Sequence, residues 1–303
     1  MILTLSAAAI SCADKQESKT NYADLTKQYA KVQLTSDISH LSDNEKQMLN
    51  YLYEVGNIMD DIFWTQQFGG DKETFLNSIK DKDARLFAEI NYGPWNHFDG
   101  LASFLPEYGE MPAGAGFYPA DMTKEEFEAW DDPNKTSLYT LIKRDENGKL
   151  QSVWYHEAYA EQIQKAADLL LKAADLAGDK EFADYLRLRS KALLTDEYFE
   201  SDMAWMDVRN NNVDFVVGPI ENYVDALYGY KAAHEAFILI KDHAWSKQLA
   251  HYAELLPELQ TQLPVAPEYK AEKPGADADL AVYDAVFYGG DCNMAGKTIA
   301  INL

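Results

Sequence analysis

The apolar pattern predicts an α+β fold that is largely helical, with short strands interspersed from residue 136 onward. Three observations carry that prediction. Long stretches repeat their apolar residues at three- and four-residue steps, which places them on one helix face. Short runs at 136–142, 150–154, 213–220, 280–288 and 298–303 have the length and composition of strands. The chain can also fill a core. Of its 303 residues 47% are apolar and 13% aromatic, including 19 Tyr, 13 Phe and 6 Trp, so buried area can offset the entropy of ordering the chain.

Residues 1–11 form an apolar stretch too short to span a bilayer, ending in small residues before Cys12. From Ala13 the chain turns polar, so residues 13–24 read as a tether. This order resembles a bacterial lipoprotein signal, although no Lys or Arg precedes the apolar run. The resemblance implies a lipid on Cys12 and a place in the bacterial cell envelope, periplasmic or at the outer membrane. The membrane contact is then through the lipid anchor alone.

From Leu25 to Phe68 the pattern is mostly helical, with Met48, Leu49, Leu52, Val55, Ile58 and Ile62 on one face and Asp43 placed as a cap. Glu73 to Phe87 predicts another helix. Between 91 and 120, Asn91-Tyr92-Gly93-Pro94-Trp95 and the run from Pro112 to Pro119 mix helix breakers with aromatics, which predicts a long packed loop. Thr123, with Glu126 three residues on, marks a helix start. Thr136 to Ile142 and Leu150 to Trp154 flank a Glu146-Asn147-Gly148 turn and form a hairpin. His156 to Leu176 and Phe182 to Leu194 are amphipathic helices. Val213 to Ile220 is a strand ending at Gly218-Pro219. Phe237, Ile240, Leu249, Tyr252 and Leu256 predict a helix from about Leu227 to Leu256, and Pro257, Pro264 and Pro267 a loop after it. Strands follow at Leu280 to Tyr288 and Thr298 to Leu303. The sequence stops while Ile299, Ile301 and Leu303 still alternate with polar or small neighbours, which reads as a truncated strand with an unfinished edge.

A net charge of −23, with no basic run, argues against binding nucleic acid or an anionic membrane surface. Two of the six histidines precede glutamate, at His156-Glu157 and His234-Glu235. A helical zinc site needs a second histidine one turn later. Ala160 and Glu161 stand there in one case, Ile238 and Leu239 in the other. His243 and His251 lie two turns apart, too far to chelate together from one straight helix. All are read as surface or packing histidines, and no metal is expected on this chain. No serine elbow, phosphate loop or dinucleotide glycine set occurs, and Gly289-Gly290 before Asp291 reads as a plain turn. One segment differs. Val213 to Asp225 runs from an apolar strand into a polar cluster holding Glu221, Tyr223 and Asp225. A carboxylate there can hold an ammonium group and a phenol can donate to a developing oxyanion; spacing alone equally allows a capped strand-to-helix turn.

The run Gly218-Pro219-Ile220-Glu221-Asn222-Tyr223-Val224-Asp225, continuing through Leu227-Tyr228-Gly229-Tyr230-Lys231-Ala232-Ala233, resembles a motif of the dipeptidyl peptidase III family of zinc peptidases. So do Asn91 to Trp95, Pro112 to Phe127, Ala204 to Asp207, Leu256 to Gln260 and Tyr283 to Leu303, in the same order. Asn222 stands where the family has Thr or Ser. The resemblance implies a two-lobed protein: one lobe with a small mixed β-barrel, here incomplete at the C-terminus, and a helical lobe that carries zinc on a motif absent from this chain. It implies the layout 25–232 as the barrel-containing lobe, 233–264 as a helical segment packing with the zinc lobe, and 265–303 as a return to the barrel. By resemblance, Glu221 binds the free N-terminus of a peptide substrate, Tyr223 contacts its carbonyl, and Asn302 binds its backbone. The expected function is the substrate-recognition part of a zinc-dependent dipeptidyl peptidase, inactive alone. The alternative is a non-catalytic periplasmic lipoprotein that binds peptides or glycans.

Overall fold

The computed structural model describes residues 20–271 and 280–296. Cys12 and the strand expected at 298–303, with Asn302, lie outside the described residues.

A short helix, α1 (Tyr22–Thr26), leads into the long helix α2 (Asp43–Phe68) around which the core is built. The helix expected from Leu25 therefore starts at Asp43. Its cap is Ser42 and not Asp43: the Ser42 hydroxyl accepts from the Glu45 amide at 3.2 Å, and the Glu45 carboxylate accepts from the Ser42 amide at 2.8 Å. This reciprocal pair satisfies two amides that a helix start would otherwise strand. Met48, Leu52, Val55, Met59, Ile62 and Phe63 are completely buried along its inner face. The helix expected over 73–87 is two, α3 (Lys72–Ser78) and α4 (Lys82–Asn91), because Asp71 and Asp81 each cap a new start. The 91–120 segment is a packed loop, as its aromatics require. It carries one small ladder, β1 (Trp95–Asn96) with β2 (Ala102–Ser103). Gly116 lets it lie on α2, since a Cβ there would sit 2.3 Å from the Thr65 carbonyl oxygen.

After α5 (Lys124–Ala129) comes the expected hairpin, β3 (Thr140–Arg144) with β4 (Leu150–Trp154). Helices α6 (Tyr155–Ala158), α7 (Ala160–Ala174), α8 (Lys180–Thr195) and α9 (Phe199–Met206) follow. The stripe of α7 that packs against α2 and α8 is Ile163, Ala166, Ala167, Leu170, Ala173 and Ala174, as its periodicity predicts.

The remaining chain builds an antiparallel sheet in the order β5 (Val213–Glu221), β6 (Ala233–Lys241), β7 (Tyr283–Gly289). This overturns the helix expected from Leu227 to Leu256. Its first part is the central strand, and helix α10 (His243–Ala253) begins only after Asp242, whose carboxylate caps the Trp245 amide at 2.9 Å. A run such as Ala236-Phe237-Ile238-Leu239-Ile240 is apolar at every position because the strand is covered on both faces, so it shows no alternation. Residues 233–241 thus belong to the sheet and not to a helical segment. Pro257 and Pro267, read as loop markers, occupy the first turns of α11 (Leu256–Gln262) and α12 (Pro267–Lys270), where a missing amide costs nothing.

One sheet face puts Phe215, Val217, Ala236, Ile238 and Ile240 into the main core over α2. The other gathers Val216, Phe237 and Cys292 under Trp205, Ile220, Leu239 and Tyr288. Among the described residues the sheets have two, two and three strands, all antiparallel, and none closes into the expected barrel. Three twisted strands are too few to curl back on themselves.

Candidate functional site

Strand β5 ends in an irregularity that decides which way Glu221 faces. Gly218 pairs with Glu235 and Pro219 with His234, but Ala233 pairs with Glu221, so one extra residue is accommodated at 220. Without that bulge, the two-residue alternation puts Glu221 on the face opposite Gly218. With it, Glu221 shares the side of the ladder that Glu235 occupies. The third member arrives from the turn after β7. Gly290 has φ +83, and a Cβ on it would lie 2.3 Å from the His234 carbonyl oxygen. Only glycine lets the chain cross β6 this closely, and the crossing sets Asp291 beside Glu235. The turn is tied down by Asp60 of α2, which accepts from the Gly290 amide at 2.9 Å and from the Tyr92 hydroxyl at 2.5 Å.

The result is a group of three carboxylates, Glu221, Glu235 and Asp291, with donor atoms all within 4.8 Å of one another. Glu235 is completely buried and neither of its carboxyl oxygens has a hydrogen-bond partner. Burial, then the neighbouring Asp291 and Glu221, pushes its carboxyl up to about 9. Burial and Glu221 push Asp291 up to about 6, and burial alone raises Glu221. Like charges this close cannot all ionise in a dry setting.

Tyr223 follows Glu221 on a loop pinned from beneath by Asp225. The Asp225 carboxylate accepts from the Tyr118 hydroxyl at 2.7 Å and from the amides of Leu227, Tyr228, Tyr230 and Lys231 at 2.9–3.2 Å. Asp225 is therefore a buried keystone, whereas Tyr223 is 75% exposed. Beside it opens a cleft of about 250 Å³, lined by Gln67, His97, Met111, Tyr223, Asp291 and Met294 among others. Burial pushes the His97 imidazole down, so it is neutral at pH 7. It lies 3.3 Å from the Gln67 amide nitrogen. The carboxylate group and the cleft meet at Asp291.

Of the residues singled out from the sequence, Glu221 and Tyr223 fall at this site. Glu235, Asp291, Gln67 and His97 were not singled out. Glu235 was in view only as half of a failed zinc motif, and Asp291 only as the residue after a turn. The other histidines pack or face solvent. His234 is buried between Gln66, Tyr155 and Tyr159 and is pushed down to about 3 by burial. His156 contacts the buried Asp196 at 2.8 Å. Among the described residues no histidine joins a carboxylate group of the kind that holds catalytic zinc; the one candidate group is all oxygen, and zinc sites favour nitrogen or sulfur donors. The residues present do not fit that ion.

Residues 126–300, more than half of the chain, match the family model for Peptidase family M49. The protein belongs to that family. Two solved structures resemble it throughout the described fold. Dipeptidyl peptidase III (DPP III) from Caldithrix abyssi superposes with a TM-score of 0.85 at 36% identity, over 93% of this chain and 55% of that one. Dipeptidyl-peptidase III from Corallococcus sp. strain EGB gives 0.80 at 31% identity, over 91% and 54%. Nudix hydrolase 3 from Arabidopsis thaliana is 30% identical over 91% of this chain and 43% of its own length. The chain spans about half the length of the relatives it matches.

Proposed function

We propose that this chain is the substrate-recognition part of a zinc-dependent dipeptidyl peptidase that releases dipeptides from peptide N-termini. The observation that carries the reading is the carboxylate group at Glu221, set beside a cleft with the exposed phenol of Tyr223 at its rim. Membership of a peptidase family supports a peptide ligand over a glycan. In this reading Glu221 takes the free ammonium of the peptide. Tyr223 stands at the scissile carbonyl and donates to the oxyanion of the tetrahedral intermediate. Asn302 meets the peptide backbone, laid along the sheet edge as an added strand. In such an enzyme a zinc ion supplies an activated water; this chain's part is to bind and orient. A lipid on Cys12 anchors the protein in the cell envelope.

The test uses the 303-residue chain with an unblocked peptide and its Nα-acetylated form. Binding of the unblocked peptide alone, lost in Glu221→Gln, and no dipeptide release with or without added zinc are the expected results. Chelator-sensitive dipeptide release by the pure chain, or equal binding of both peptides, overturns the reading.

A further inference from the structure

Glu235 poses a problem that Glu221 alone does not solve. A completely buried carboxyl whose two oxygens have no hydrogen-bond partner is a costly thing to keep. Facing it are Glu221 from β5 and, from the turn after β7, Asp291 and the Cys292 thiol, which gives its hydrogen to the Gly289 carbonyl at 3.1 Å. Asp60 of α2 is turned away, to Tyr92 and the Gly290 amide. Among the described residues no Lys, Arg or His pairs with any of the three acids. The oxygens within 4.8 Å of one another are spaced as acceptors around one central cation. An N–H···O contact of about 2.8 Å fits that span.

What kind of cation follows from the neighbourhood. Asp291 belongs both to the carboxylate group and to the wall of the cleft, whose other walls include Leu101, Met111, Pro112 and Met294. A hydrated metal ion makes no use of apolar walls, whereas an amine carried on a carbon skeleton does. We propose that Glu235 and Asp291, together with Glu221, form one cage for a primary ammonium group, with the body of the ligand lying in the adjoining cleft. The proposal rests on the reading of this chain as a peptide-recognition part, and it makes Glu235 and Asp291 determinants of the requirement for an unblocked N-terminus.

The cage has a consequence for protons. Empty, it cannot carry three negative charges, and the proton it keeps at pH 7–8 resides chiefly on Glu235, whose carboxyl is pushed up to about 9. An arriving ammonium brings one positive charge and its own N–H donors. The held proton leaves to solvent, the carboxyl ionises, and the N–H groups take its place. No covalent bond forms or breaks, and one cation replaces another.

Isothermal titration calorimetry of the full chain with tetra-alanine and Nα-acetyl-tetra-alanine tests this, run at pH 7.5 in phosphate and in Tris. The unblocked peptide binds with release of close to one proton, read from the difference in heat between the buffers, and the acetylated form binds at least about tenfold more weakly. Glu235→Gln and Asp291→Asn each weaken the unblocked peptide by about tenfold or more, and Glu235→Gln abolishes the proton release. If Glu221→Gln weakens binding while the other two variants bind as wild type with the same proton count, the cage is wrong and recognition by Glu221 stands. If no unblocked peptide binds, both readings fall. If Ca²⁺ or Zn²⁺ alone binds, is lost in Glu235→Gln, and both peptides bind equally, the group is a metal site and the proposal is overturned. Should Glu235→Gln fail to fold, the wild-type proton count and Asp291→Asn decide the matter.

Discussion

Replacing Glu235 by glutamine will stabilise the protein at neutral and alkaline pH and leave it unchanged in acid. The side chain is completely buried and its carboxyl is pushed up to about 9 from an ordinary value of 4.5. Between those values the folded chain holds a proton that the unfolded chain has released, so stability falls as pH rises through the window. Below pH 4.5 both states are protonated and the group contributes nothing. At pH 7.5, three pH units into the window at about 1.4 kcal/mol each, the cost reaches about 4 kcal/mol. Glutamine keeps the shape and is neutral throughout. Urea unfolding of both proteins at half-unit steps from pH 4.5 to 9 reads the difference. The variant's advantage should begin near zero, grow with pH to about 2–4 kcal/mol by pH 7.5, and level off near 9. A difference that is flat across the range refutes the reasoning.

Three further outcomes are expected. Gly290→Ala meets the His234 carbonyl and a left-handed backbone at once, so it should lower stability by roughly 1–3 kcal/mol and move Asp291 away from Glu235, weakening peptide binding in the same calorimetric assay. Asp225→Asn puts an amide donor against the donors that Asp225 now receives; a loss on the order of 3 kcal/mol in urea unfolding is expected. Tyr223→Phe removes one exposed hydroxyl and should change the melting temperature by no more than about 1 °C, as surface changes generally do.

Much of the scaffold was legible in the residues. The stripes of α2 and α7 are read directly because each helix has one wet face, and the hairpin of β3 and β4 because its Asn147-Gly148 turn is where the strands reverse. Strand β6 was hidden by its own burial: with both faces covered, Phe237 and Ile240 fit a helix as well as a strand. That misreading also hid Glu235, which on a helix is half of a broken zinc motif and on a strand faces Glu221. Even with β6 recognised, simple alternation turns Glu221 away, since the bulge at 219–221 is a property of pairing and leaves no composition signal. Asp291 was lost for a similar reason. A glycine pair says that the chain turns; that it turns across the back of His234 depends on which strand lies beneath.

The single carboxylate of Asp225 has a consequence for how the rim of the cleft can change over time. Four backbone amides and one phenol converge on it from below, so the backbone on either side of Tyr223 is held in place whatever side chain that position carries. A ligand that engages Tyr223 has only two side-chain torsions to still, at a cost on the order of 1 kcal/mol, with no loop left to order. Position 223 is thus a socket in a rigid bracket, where one side chain can be exchanged for another and the chemistry at the rim altered while the fold beneath is left as it was.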